Sequence, residues 1–194
     1  MSEIKSALEI ALERTQDVEA NKEALEANTF ITEGKKLVSK FLSEENVELK
    51  KLLEGFDKKH LRHVKEGALQ ALLANLKLPA DEMSLLQCKK AGQGFYALAA
   101  DGKHLGKLLN QMEQFLSDFL QERKRVMEAV EQRFQPILQQ KEQAMSQQVG
   151  ARVKIDPAMD PDFQKMLRDN MTILEDRYNQ VLARVKQELR RMSE

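Results

Sequence analysis

Near the start of the chain a seam recurs in alternating steps of four and three: Ile4, Leu8, Ala11, Thr15, Val18, Lys22, Leu25. This is heptad spacing, which keeps one stripe of a helix turned toward a partner helix. Ser2 and Glu3 suit the start of such a helix, as N-cap and first-turn acid. The step from Leu25 to Phe30 is five, and Asn28 and Thr29 are poor interior helix residues, so the spacing predicts a kink or a break there. A new stripe of Phe30, Gly34, Leu37 and Phe41 follows, and from Glu45 to Leu76 a further helical stretch carries Leu49, Leu52, Leu53, Phe56, Val64, Ala68, Leu72 and Leu76 on or near one face. Gly55 and Gly67 each weaken that stretch by roughly 1 kcal/mol relative to Ala unless they allow close packing.

Pro79 stops this pattern, and Pro79-Ala80-Asp81-Glu82 has the form of a helix start. Residues 83–100 then offer two readings: Leu85, Cys88, Gly92, Phe95 and Leu98 suit a helix, and "KAGQG" suits the turn of a short hairpin. The helix reading is favoured.

The longest element follows. Leu105, Leu109, Met112, Leu116, Phe119, Arg123, Val126 and Val130 keep the four-three alternation; the seam then steps by four to Phe134 and Leu138, and continues through Met145 and Val149. Consecutive fours are a stutter, which locally unwinds a coiled coil. Pro136 lies inside it and removes a backbone donor, so a kink is expected there. As one helix, Lys103–Val149 is about 70 Å long at about 1.5 Å per residue, and part of it is expected to project from a small helical body.

Gly150 sits where a left-handed helix cap is cheapest. The final stripe is Phe163, Leu167, Met171, Leu174, Tyr178, Val181, Val185, Leu189 and Met192, which can return antiparallel along the long helix. The pattern therefore predicts an all-α protein: a helical body with a long antiparallel coiled-coil hairpin (about 103–149 and 161–193) turning near 150–160. The N-terminal heptad helix is a candidate third strand. Three segments are expected: 1–28 as the heptad helix packing on the hairpin, 29–102 as the helical body, and 103–194 as the hairpin. The expected interaction seam is Leu109, Met112, Leu116, Phe119, Phe134, Leu138, Met145, Leu174, Tyr178 and Val181.

Composition sharpens this picture in a few places. Glu, Lys, Gln, Ala and Leu dominate, with no Trp and four Pro, which favours helix over strand. Thirty-one basic and 31 acidic residues cancel, so nothing draws the whole chain to nucleic acid or an anionic membrane. No stretch reaches the roughly 18 apolar residues of a membrane span. "MSEIKSALEIALERT" lacks the apolar core of a secretory signal, and a single cysteine, Cys88, fits a reducing compartment. A cytoplasmic location is expected. Seven glutamines between Gln132 and Gln148 thin the seam near the turn, and they read first as a solvated helix surface. A weakly packed arm open to other proteins is the second reading.

Candidate chemistry is sparse. Asp156, Asp160 and Asp162 crowd one short stretch, but from Asp156 an EF-hand needs an oxygen ligand, glycine and glutamate where Ala158, Pro161 and Leu167 stand. They fit better as punctuation, with Asp160 as N-cap and Pro161 as first helical residue. His60 and His63, three apart on one helical face in "DKKHLRH", are the only metal candidates, and the carboxylate–histidine elements of a di-iron bundle are missing around them. The basic run Lys58, Lys59, Arg62 and Lys65 reads as a solvated face before a phosphate or acidic-partner contact. "GQGFYA" matches a dinucleotide fingerprint in letters only, because no strand precedes it. Cys88 reads as a buried small hydrophobe.

The leading expectation is a non-enzymatic cytoplasmic coiled-coil scaffold or adaptor, without cofactor, binding protein partners and itself a homodimer. The alternative is a chaperone-like protein that sequesters a partner's amphipathic helix through the Met- and Gln-rich seam, in export or assembly. A third reading is a metal-dependent helical-bundle oxidoreductase using His60 and His63.

Overall fold

The computed structural model describes residues 7–99 and 101–193, with side chains from Lys22 onward. Among the described residues there are six α-helices and no strand: α1 Ala7–Ser43, α2 Leu49–Leu53, α3 Lys58–Asn75, α4 Glu82–Gly94, α5 Gly102–Val149 and α6 Pro161–Ser193. Two 3-10 turns, Phe95–Ala97 and Pro157–Met159, complete the list of elements. The protein is all-α, as the spacing predicts. Among the described residues no helix is long and apolar enough to cross a membrane. The chain forms two compact units: Met1–Leu76 with Lys90–Leu105 and Leu189–Glu194, and Lys77–Lys89 with Gly106–Glu188.

In the first unit α1 passes through "EANTF" unbroken, so the segment boundary expected at 28/29 falls inside one helix. Thr29 and Thr32 donate their hydroxyls to the carbonyls of Leu25 and Asn28 one turn back, both at 2.9 Å, so these residues are satisfied within the helix. The side chains of the expected seam from Ile4 to Val18 lie outside the described residues. Farther along, Gly34 is buried against α3, and Val38 and Phe41 are buried as well. A Cβ on Gly34 would lie 2.0 Å from the Val64 carbonyl oxygen, and one on Gly67 would lie 1.9 Å from that of Ile31. Two glycines therefore let the backbones of α1 and α3 touch, which is the close packing that compensates their helix penalty.

The stretch 45–76, expected as one helix, is divided. α2 ends at Leu53, and Asp57 starts α3 by accepting the His60 amide at 3.0 Å. An Asx cap directly after Gly55-Phe56 stops the first helix and opens the second, although the leucine stripe runs across both. Over residues 83–99 the chain forms α4 and a 3-10 turn, not a hairpin. Lys90 closes the end of α1 by donating to the Leu42 and Glu44 carbonyls at 3.1 and 2.9 Å.

In the second unit α5 and α6 run antiparallel. Phe119, Leu174 and Tyr178 form one buried cluster, edged by Leu78, Phe115, Val126 and Met171. Val130, Phe134 and Phe163 form a second, edged by Leu138, Met166 and Leu167. Both contain an edge-to-face aromatic pair, Phe119–Tyr178 at 5.0 Å and Phe134–Phe163 at 5.3 Å between centroids. Each of these pairs adds about 0.5–1.5 kcal/mol beyond burial. The stutter positions Val130 and Phe134 both face α6, and the helix continues through Pro136, whose exposed ring leaves one carbonyl to solvent. Residues 77–89 are tied to α5 by an Arg123 hydrogen bond to the Ala80 carbonyl at 2.8 Å and a Lys89–Glu113 ion pair at 3.6 Å. Cys88 is buried and lies 3.2 Å from the Lys77 carbonyl oxygen.

Between the two clusters and solvent, Tyr178 donates its hydroxyl to Glu122 at 2.6 Å, and Arg177 binds the other oxygen of that carboxylate. These two donors hold Glu122 below its ordinary value. Burial, reinforced by the carboxylate beside it, pushes Tyr178 up to about 12.

Candidate interaction surface at the hairpin tip

The turn between α5 and α6 is built residue by residue from side-chain hydrogen bonds. Gly150 ends α5 with a left-handed φ of 72°, its amide bonded to the Ser146 carbonyl at 3.0 Å. The chain then leaves the helix, and its amides need other acceptors. Ser146 Oγ takes the Val153 amide and Glu142 Oε1 takes the Ile155 amide, each at 2.9 Å. Asp156 accepts the Ala158 amide at 2.9 Å and so starts the 3-10 turn. Asp160 accepts the Asp162 amide at 2.9 Å at the start of α6, with Pro161 as the first helical residue.

Lys141, on the last turns of α5, reaches both oxygens of Asp160 at 2.9 and 2.7 Å and Asp162 at 2.7 Å. Its ammonium also lies 5.4 Å from the Phe134 ring centroid. Asp160 is only 6% exposed. The Lys141 hydrogen bond holds the Asp160 carboxyl below its ordinary value, and the two carboxylates raise Lys141 above its own. Asp160 and Asp162 thus bracket a positive charge supplied by the chain itself, and Asp156 serves the turn.

Polar contacts hold this turn in place, and large apolar side chains stay outside it. Met145 is 45% exposed, Val149 65% and Met159 76%. A groove of about 540 Å³ is lined by Ala144, Met145, Val153, Ile155, Met159 and Pro161 together with the polar residues Lys141, Gln148, Lys154 and Asp160. The surface is apolar, methionine-rich and backed by a hydrogen-bonded loop.

The seam expected to meet a partner is largely used inside the chain. Leu109, Met112, Leu116, Phe119, Phe134, Leu174 and Tyr178 are buried, and Leu138 is half-buried. Met145 and Val181 remain exposed. On α6 the buried residue is Leu182, at 3%, and Val181 is turned out at 40%. Two neighbouring apolar residues both fit the stripe, and the helical phase between Tyr178 and Leu189 selects the second. Val149 and Met159 complete the exposed patch. Met159 lies in a 3-10 turn, outside any helical stripe, so periodicity gives no signal for it.

His60 and His63 belong to the first unit. His60 stacks on Phe30 at 3.9 Å between centroids, with Nε2 3.6 Å from Glu26 and 3.8 Å from Asp57. His63 Nδ1 is 4.0 Å from Glu66 and makes no hydrogen bond among the described residues. The two histidines share a shallow groove with Glu23, Glu26 and Lys59, and Lys59 already pairs with Glu26 at 3.6 Å. Among the described residues no three His, Cys, Asp or Glu side chains are gathered as a metal ion requires.

Residues 50–191 match the model of a family of unknown function, DUF6657. The chain belongs to this family. The part assigned to DUF6657 holds α3 to α5 and nearly all of α6, with the hairpin turn, and excludes α1. The chain matches no curated protein and no solved structure.

Proposed function

We propose that this protein is a non-enzymatic adaptor that uses the tip of its α5–α6 hairpin to hold an amphipathic helix of a partner protein. One observation carries this reading: Met145 and Met159 stay exposed in a groove whose loop is fixed by its own hydrogen bonds, and Val149 at the end of α5 is exposed as well. Exposed apolar side chains on a preorganised frame cost little further ordering when a partner binds. Methionine, unbranched and polarizable, adapts to differing apolar faces, and helix-in-groove docking needs that combination.

Burial of Phe119, Phe134, Leu174 and Tyr178 inside the hairpin moves the proposed contact from the long seam to its tip. A second copy of the chain on the same patch is the competing occupant. The test uses a fluorescent amphipathic model helix of leucine and lysine with the full chain. Replacing both methionines (Met145→Asp with Met159→Asp) is expected to weaken binding about tenfold or more, the loss of two apolar anchors. Unchanged binding sinks the proposal. So does sedimentation showing a dimer that these substitutions convert to monomer, because the patch would then serve self-association.

A further inference from the structure

A second concave surface, in the first unit, has the opposite character. Arg62 and Lys65 on α3 and Arg190 on the last turns of α6 line a groove of about 490 Å³. Some exposed cations elsewhere meet carboxylates, as in Lys36–Glu33 at 2.7 Å, Lys51–Glu48 at 2.8 Å and Lys124–Glu82 at 3.9 Å. Among the described residues Arg62, Lys65 and Arg190 form no ion pair. Single unpaired cations are common on helices; three facing one concavity concentrate positive potential there. Glu66 is the one acid in the lining, and it already accepts the Gln70 amide at 3.3 Å. Three cations against one carboxylate leave two uncompensated positive charges.

We propose that this groove binds a small ligand carrying two or more phosphates and no aromatic ring. Two guanidinium groups offer planar, bidentate donors that match phosphate oxygens, and Lys65 adds a point charge. The excess of two charges matches an oligophosphate better than a single carboxylate. No aromatic side chain lines the groove, so nothing is placed to stack on a nucleobase, and its apolar lining is the single side chain Leu69. This site is separate from the proposed partner contact at the hairpin tip and does not depend on it.

Titration calorimetry with inorganic tripolyphosphate on the full chain tests this. Binding is expected to weaken as salt rises, and to weaken about tenfold or more in the double variant R62Q/R190Q, because charge-assisted hydrogen bonds to phosphate are lost. R62K keeps the charge and is expected to bind between the two. Arg168→Gln, outside the groove, is expected to bind like the unaltered chain. Circular dichroism establishes that each variant is folded. Four results would overturn the proposal: no binding beyond that of chloride at equal ionic strength, equal binding by R62Q/R190Q, equal binding of a short oligoglutamate, or stronger binding of a single-stranded oligonucleotide of matched phosphate number.

Discussion

The middle and the tip of the α5–α6 hairpin solve the same problem with different materials. In the middle, Phe119, Leu174 and Tyr178 fill the space between the helices, while Ile173 and Val181 beside them point to solvent. At the tip, Lys141, Glu142, Ser146 and Asp160 hold the returning chain through hydrogen bonds, and Met145, Val149 and Met159 are left exposed. Neutral hydrogen bonds contribute about 0.5–1.5 kcal/mol each and those to charged groups about 1.5–3 kcal/mol, against about 1.5–3 kcal/mol for a fully buried large apolar side chain. The tip is therefore held by directional bonds and the middle by apolar burial. Apolar side chains that the fold does not consume are the ones available to another molecule.

The sharpest test of this contrast compares single truncations. Phe134→Ala, which empties the cluster with Val130 and Phe163, is expected to cost about 3–5 kcal/mol in urea unfolding. A loss below about 1 kcal/mol would mean that the hairpin's second cluster is not a core. The contrast would then collapse.

Tyr178 gives the next largest effect. Its folded value of about 12 is raised above the ordinary 10, so its contribution is complete below pH 10 and is lost as pH rises through about 12. Two units correspond to about 2–3 kcal/mol. Tyr178→Phe is expected to flatten stability over that range relative to the unaltered chain. In a Tyr96→Phe background, tyrosinate absorbance is expected to develop near pH 12. Full ionisation near 10 would show that Tyr178 is neither buried in the cluster nor bonded to Glu122.

The tip responds to pH at both ends, and more weakly. Asp160 is depressed below 3.8, so its contribution is present above that value and is lost as pH falls through the lower folded one. Lys141 is raised above 10.5, so its share is present below that value and is lost as pH rises through the higher folded one. Lys141→Ala is expected to speed amide exchange at Val153 and Ile155 while lowering the unfolding temperature less than Phe134→Ala does. Equal loss of protection in the middle of the hairpin would show that the tip and the core unfold together.

Much of this hairpin is legible from spacing. The steps from Leu105 to Phe134 name the buried face of α5, and Gly150 with Asp160-Pro161 names the turn. What spacing misses has physical causes. Leu182 and Val181 both satisfy a helical stripe, and only the phase of the packed pair distinguishes them. The break at Asp57 is hidden because leucines continue on both sides of it, whereas the cap depends on one side-chain hydrogen bond. Lys141 and Asp160 are 19 residues apart, and no local rule pairs them. The groove containing Arg62, Lys65 and Arg190 joins residues from the two ends of the family match, so the basic run on α3 shows only part of it.

The smallest expected effect is the most telling one. Met159, in the 3-10 turn before α6, touches solvent over most of its surface. Met159→Asp is expected to change stability within about 0.5 kcal/mol, the usual range for surface positions. Asp there adds charge near Asp156 and Asp160, but Lys141 already satisfies the buried carboxylate. A loss of about 2 kcal/mol or more would mean that Met159 packs as part of the turn. The tip would then be a small core, and its apolar surface would no longer be spare. Stability close to that of the unaltered chain, together with weaker binding of the model helix, would separate what shapes the tip from what the tip holds.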